Sequence, residues 1–379
     1  MGFGVLFIWL SERVGMTLTD EQRAIRDVVR EFAREEIRPI AREADETQTF
    51  PEEIWDGLAE LDLTGLTVPA EYGGYDADPV TASVVYESVA YGSLAVATAL
   101  SVHGLATSCL RTFGSDAQQE RWLPEMADGR PVGAFALSEP HAGSNPADMS
   151  TEARRDGDEY VINGEKQWIT NGVRSGVIIL FAKTDREDPN TVTQFLVPKD
   201  VDGLTVGEKE DKLGLRASDT TSLTFDDVRI PAENRLTEEG KGLSAAFEIL
   251  TGGRVAIASQ AVGLADHAVE EAVSYSQERE QFDGPIADIQ SVRHTLAEMA
   301  TSTEAARQLT RHAARQRAAG TADAPMAASM AKYTASEAAM DVTNDAVQLH
   351  GGYGYVTEGE VERLYRDAKI LSLIHISDG

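Results

Sequence analysis

The spacing of apolar residues changes twice along this 379-residue chain, and those two changes bound what it can fold into. From Thr19 the apolar positions Ile25, Val28, Val29, Phe32, Ile37 and Ile40 step at helical spacing. Thr19-Asp20-Glu21-Gln22 ahead of them reads as a capping box. Pro51 opens a second helix, Pro79 to Leu110 reads as two alanine-rich buried helices, and Gly114 to Met126 adds a short one. Near Pro131 the period shortens. Val177 to Ala182 is a β-branched apolar run, Thr193 to Val197 and Ser222 to Ile230 alternate, and glycine and proline punctuate the segment. Helix returns after Gly240. Val292, Leu296, Met299, Thr303 and Ala306 form a bundle-facing stripe, and a last long helix runs from Pro325 to Gly351. Met326, Met330 and Met340 on that helix are expected as core filler. The expected organisation is a helical domain at 16–130, a β domain at 131–235 and a helical segment at 236–370.

Within the β segment, Phe135 to Gly172 carries the densest chemistry. A small-residue loop, Ser138 to Asn145, precedes Asn163-Gly164, which sits between Tyr160-Val161-Ile162 and Glu165 to Thr170. Asn-Gly supplies the two positive-φ positions of a type I′ turn, so a hairpin is expected there. Its edge would present backbone N–H groups, the hydroxyls of Ser138, Ser144 and Thr170, and the indole of Trp168. That surface suits a large planar heterocycle; an ordinary hairpin with a core tryptophan fits the same residues.

Composition narrows the partners. The net charge is −29, from 63 acidic against 34 basic residues, so the field of the chain repels nucleic acid. An acidic surface with eight lysines suits a salt-rich cytoplasm. The single cysteine, Cys109, excludes an internal disulfide and fits a reducing compartment. The scattered histidines lack metal-ligand spacing, and His103 and His350 are read as packing or hydrogen-bonding residues. Residues 1–15 are read as a non-native extension ahead of Met16. Their apolar run, Val5 to Leu10, is too short to span a bilayer and lacks the flanks of a signal peptide.

Four blocks together resemble one family. Ser138-Glu139-Pro140-His141-Ala142-Gly143-Ser144-Asn145 with Asn163 to Gly172 is similar to the flavin-contacting segment of the acyl-CoA dehydrogenases. Lys212 to Thr220, Arg279-Glu280-Gln281-Phe282, and Gln348 to Tyr355 leading to Arg366-Asp367-Ala368-Lys369-Ile370 follow in the family's order. The resemblance implies a mainly α protein with a central β domain: a helical N-terminal domain, an antiparallel β-barrel-like middle domain and a C-terminal four-helix bundle. It implies FAD as cofactor, with Phe135, Leu137, Ser138, Trp168 and Thr170 along the isoalloxazine and Ser144 near the CoA thioester. Arg279, Phe282 and Gln290 would reach the FAD of a neighbouring subunit in a homotetramer, with Gln348 and Gly352 on its adenine side. Arg254 matches a position on the substrate side, although a plain salt bridge within the bundle fits it equally. A dinucleotide-loop reading of Gly352-Tyr353-Gly354 fails, since it follows a helix and lacks the third glycine.

The implied activity is desaturation of an acyl-CoA to a trans-2-enoyl-CoA, with electrons passed to an electron-transfer flavoprotein. An oxygen-using flavoenzyme on the same fold and a non-catalytic FAD-binding protein are the alternatives. Two departures stand out. Asp283 occupies a position where glycine is usual, beside the expected pyrophosphate contact, and is expected to face solvent. The glutamate that should follow Ile370 as catalytic base is absent, and Gly253 occupies the base's other known location. The family pattern stops at Ile370. Leu371 to Ile376 reads like a translated transposon end, so 371–379 is expected to be an artefactual tail.

Overall fold

The computed structural model describes residues 18–373, so the 1–15 extension and most of the tail, including His375 and Asp378, lie outside the described residues. Helix α1 (Asp20–Phe32) starts at the Thr19 capping box, where the hydroxyl accepts from Gln22 N and the Gln22 side-chain oxygen accepts from Thr19 N. A π turn (Ala33–Ile37) leads into α2 (Arg38–Thr47), followed by α3 (Glu52–Glu60). Helices α4 (Pro79–Gly92) and α5 (Leu94–Phe113) are the alanine-rich pair, and α6 (Asp116–Ala127) closes the segment. By length and composition alone α5 could cross a membrane, but 67% of its apolar window is buried inside the protein, as in a core helix.

Seven strands follow: β1 (Val132–Ala136), β2 (Glu152–Asp156), β3 (Glu159–Ile169), β4 (Ser175–Lys183), β5 (Val192–Pro198), β6 (Leu204–Lys209) and β7 (Thr221–Pro231). They form one sheet in the order β1-β4-β2-β3-β7-β6, with β5 on the other edge of β4. Four of the six pairs are antiparallel, while β1 and β2 both run parallel to β4.

The hairpin expected at Asn163-Gly164 does not form. Both residues lie inside β3, and the β2–β3 turn is at Gly157-Asp158, between the paired Asp156 and Glu159. Asn163-Gly164 makes a bulge instead: the register against β7 shifts between Ile162 and Gly164. The Asn163 side chain exchanges two hydrogen bonds with Asp227. Gly164 adopts φ +149 where a Cβ would meet Thr151 Oγ1 at 2.5 Å. Glycine is needed there for close approach and not for a turn.

The last segment holds α7 (Gly242–Glu278), a two-residue-strand hairpin β8 (Glu280–Gln281) and β9 (Gly284–Pro285), α8 (Gln290–Ala318), α9 (Ala324–His350) and α10 (Glu360–Leu371). One apolar cluster runs from Val29 and Trp55 through α4 and α5 into this bundle, so its helices share a core with the N-terminal segment. The inward face of α9 is Ala327, Ala328, Ala331, Ala335 and Ala339. Close helix approach on that small face leaves Met326 and Met330 on the opposite side, 57% and 53% exposed, so neither is core filler; only Met340 packs against the core.

Candidate functional site

A buried ion pair ties the small-residue loop to β3. The Lys166 ammonium lies 2.8 Å from Glu139 Oε1 and 3.0 Å from the Leu137 carbonyl, and neither charged side chain is exposed. The Glu139 carboxylate also accepts from the N–H and hydroxyl of both Ser150 and Thr151, so its charge is fully ligated. Burial alone would raise this carboxyl; Lys166 and the four donors outweigh it and hold it down to about 2. One residue further along each strand, Gln167 N donates to the Ser138 carbonyl at 3.0 Å. Residues 137–139 and 166–168 therefore form a stitched seam. Phe135, on β1 just before this seam, packs its ring 4.9 Å from that of Phe181.

The second register shift in β3, between Lys166 and Ile169, sits where Trp168 has φ +58. A bulky residue in that region is uncommon and held there by its surroundings. The bulge reverses the inside-outside phase, so the indole points outward, 56% exposed, while Ile169 is buried. Trp168 is thus no core tryptophan. Thr170 follows, partly buried. Asn171, buried with φ +63, donates to the carbonyls of Ala99 and Gly133 and so locks the turn against α5 and β1. Ser144 lies exposed on the loop beyond Glu139.

A second group of candidates lies where α7 and α9 end. Arg279 ends α7 and opens the β8–β9 hairpin, whose turn is Phe282-Asp283 with φ +57 and +69. This is where a type I′-like turn occurs. Phe282 is 90% exposed, and Asp283 is exposed at the tip. The guanidinium of Arg279 lies 5.8 Å from the centre of the Tyr353 ring and makes no ion pair among the described residues. Tyr275 stacks on His350 at 4.2 Å and bridges to Tyr353. Gln348 and Gly352 flank that stack, and Gln290 is the first residue of α8, all exposed. Arg254 sits partly buried on α7 within electrostatic reach of Lys332 on α9.

His103 and His350 are hydrogen-bonding residues. His103 Nε2 donates to the Met126 carbonyl while Nδ1 accepts from Gly133 N; burial keeps the ring neutral, pushing it down to about 4.

The two remaining family-like blocks meet each other. Asp367 on α10 accepts from Leu215 N at 2.6 Å, Arg366 pairs with Asp45 at 2.8 Å, and Lys212 folds back on the Ser218 carbonyl. This joint ties α10 to α2 and to the loop between β6 and β7. Leu371, one residue past Ile370, is buried in the bundle core.

The chain belongs to the acyl-CoA dehydrogenase family: residues 19–130, 134–228 and 240–375 match its N-terminal, middle and C-terminal domains. It is 42% identical over 360 residues to an acyl-CoA dehydrogenase of Bacillus subtilis, covering 94% of this chain and 95% of the relative. The fold superposes with TM-score 0.92 on butyryl-CoA dehydrogenase from Megasphaera elsdenii, at 38% identity and 95% coverage of each chain. It does so equally, with the same score, identity and coverage, on a chain in a structure of the electron transferring flavoprotein of Acidaminococcus fermentans.

FAD is the cofactor of this family, and the residues present fit it. In a chain of net charge −29, Arg279 has no carboxylate partner among the described residues and lies over the exposed Tyr353 ring, near the exposed Phe282 of the same hairpin, a surface matched to an anionic, aromatic dinucleotide. Sequence reading missed Glu139–Lys166 and Asn171. The available signal was a lysine at an inward strand position in a chain with few lysines.

Proposed function

We propose that the chain acts on a saturated acyl-CoA thioester, desaturating it between Cα and Cβ to the trans-2-enoyl product, with an electron-transfer flavoprotein as electron acceptor. The observation that carries this reading is the seam. An ion pair, four donors to one carboxylate and a bulge fix Leu137 and Ser138 against Gln167 and Trp168, which supports a flavin edge made of Phe135, Leu137, Ser138, Trp168 and Thr170. Bound FAD supplies the hydride acceptor. The edge residues would fix the plane of its ring system, and Ser144 would meet the CoA side of the thioester. Arg279, Phe282 and Gln290 would hold the pyrophosphate end from a neighbouring subunit, with Gln348 and Gly352 on the adenine side and Arg254 lining the acyl side. That arrangement requires a homo-oligomer, in keeping with a homotetramer. The likeness to a butyryl-CoA dehydrogenase from Megasphaera and to a chain in the Acidaminococcus electron transferring flavoprotein structure supports a short acyl chain and that electron acceptor.

Removal of the α-proton needs a base, and the sequence after Ile370 contains no glutamate. General-base catalysis contributes about 10²–10⁴-fold. Mixed anaerobically with the flavin-loaded protein, butyryl-CoA is expected to perturb the flavin spectrum at once and bleach it slowly. Introducing a glutamate into the segment after Ile370 should speed bleaching by that factor. A flavin spectrum indifferent to butyryl-CoA would overturn the reading.

A further inference from the structure

β1 is an edge strand: its only sheet partner is β4, and the register between them shifts at its start, between Val132 and Gly133. Backbone groups on such a strand that β4 does not bond have to be covered from elsewhere. At Gly133, two residues before Phe135, side chains cover both. The Gly133 N–H donates to His103 Nδ1 at 2.9 Å, and the Gly133 carbonyl accepts from Asn171 Nδ2 at 3.1 Å. Asn171 also donates to the Ala99 carbonyl at 2.9 Å, one turn before His103 on α5. One residue of β1 is thus gripped at both polar groups, by a helix and by the turn that follows Trp168.

The grip is rigid. A backbone N–H can only donate, so His103 Nδ1 is the bare nitrogen, and Nε2 carries the proton donated to the Met126 carbonyl at 3.0 Å. The imidazole therefore spans β1 and α6. It is fully buried and packs edge-on against the Trp55 ring at 5.4 Å. Trp55 is anchored in turn, its indole N–H on the Gly129 carbonyl and the Arg174 guanidinium 4.3 Å from its ring centre. Glycine at 133 lets the strand come this close to the helices, since a Cβ there would stand 2.4 Å from that of Ala106 and 3.0 Å from Met126 Cε.

The seam holds the chain just beyond β1, where Lys166 takes the Leu137 carbonyl and Gln167 N the Ser138 carbonyl. Gly133 is a second fixing point, and Phe135 lies between the two. Asn171 ties that second point to the turn carrying Trp168 and Thr170. We propose that His103 is a positioning residue for the flavin: through the Gly133 peptide it sets Phe135, Leu137 and Ser138 against Trp168 and Thr170, the two sides of the flavin edge. The inference rests on that edge as the flavin site and deepens it by adding a residue that acts on the flavin without touching it.

Substitutions that separate the two ring nitrogens test it. Asn puts an amide where Nδ1 stands, Gln puts one where Nε2 stands, and Phe keeps a ring with neither. In the flavin-loaded protein, His103→Gln and His103→Phe should weaken FAD binding about fivefold, the worth of one hydrogen bond, and change the visible circular dichroism of the bound flavin. His103→Asn should keep the wild-type dichroism and an FAD affinity within about twofold, even though its melting temperature falls with the lost Met126 contact. A histidine that serves the fold alone predicts a flavin signal indifferent to which nitrogen is replaced. Wild-type affinity and dichroism in the Gln and Phe variants, an Asn variant as perturbed as the Gln one, or failure of the Gln and Asn variants to fold would each overturn the assignment. No thioester enters these measurements, so the dehydrogenase reading stands or falls separately, on the response to butyryl-CoA.

Discussion

The two groups of candidate residues differ in how far each is completed within one chain. Around Glu139 and Lys166 the polar groups of the seam are bonded: an ammonium to a carboxylate and a carbonyl, a carboxylate to five donors, and strand to loop. Around Arg279 and Tyr353 the opposite holds, with aromatic faces and a guanidinium turned to solvent. A closed network gives geometric precision, since nothing in it gains by moving. An open one gives binding capacity at no cost to the fold. The first should therefore answer to stability measurements, the second to ligand and partner measurements.

The contrast breaks most sharply at Lys166→Met. Removing the ammonium leaves a carboxylate buried without its counter-ion, an expected cost of about 3–5 kcal/mol in urea unfolding. Pairing it with Glu139→Gln should recover much of that loss; an unchanged midpoint in the single variant would mean the seam is not closed. Acid provides the matching test. Glu139 has an ordinary value of 4.5 and is held at about 2 in the fold, so its contribution is full above pH 4.5 and is lost as pH falls toward 2. Glu139→Gln should flatten that part of the stability profile.

Arg279→Met should do the reverse. Stability of the flavin-free protein is expected to stay within about 0.5 kcal/mol, as for surface substitutions. FAD affinity should weaken by about 1.5–3 kcal/mol, the range for a lost hydrogen bond to a charged group, measured by flavin titration. A destabilised apoprotein would show that the open cluster is part of the fold.

The smallest effect is expected at Cys109. It is buried on α5 facing β5, accepting from Gln194 Nε2, and burial pushes its thiol up to about 12. A thiol reagent at neutral pH should label it only in proportion to the unfolded fraction. Faster labelling would reveal local opening of the sheet.

The elements themselves were legible where local chemistry decides: the Thr19–Gln22 cap, Pro325 at the start of α9 and the Leu296–Met299–Thr303–Ala306 stripe all behave as their sequence suggests. Asn163-Gly164 misled because the same dipeptide serves a turn and a bulge, and only the strand opposite it, β7, decides between them. Met326 and Met330 misled because helical periodicity cannot say which of two apolar faces is the core. Trp168 could be picked out as a candidate, but its outward aim depends on a register shift set by long-range pairing. Glu139 and Lys166 lie far apart in sequence, and neither spacing nor composition announces their contact.

The joint between Asp367, Leu215, Arg366 and Asp45 has a consequence for how this architecture can change. It ties α10 to α2 and to the loop between β6 and β7, so the helix has a mounting plate built entirely from residues upstream of Leu371. Changes to the chain beyond the described residues should therefore leave that footing as it is.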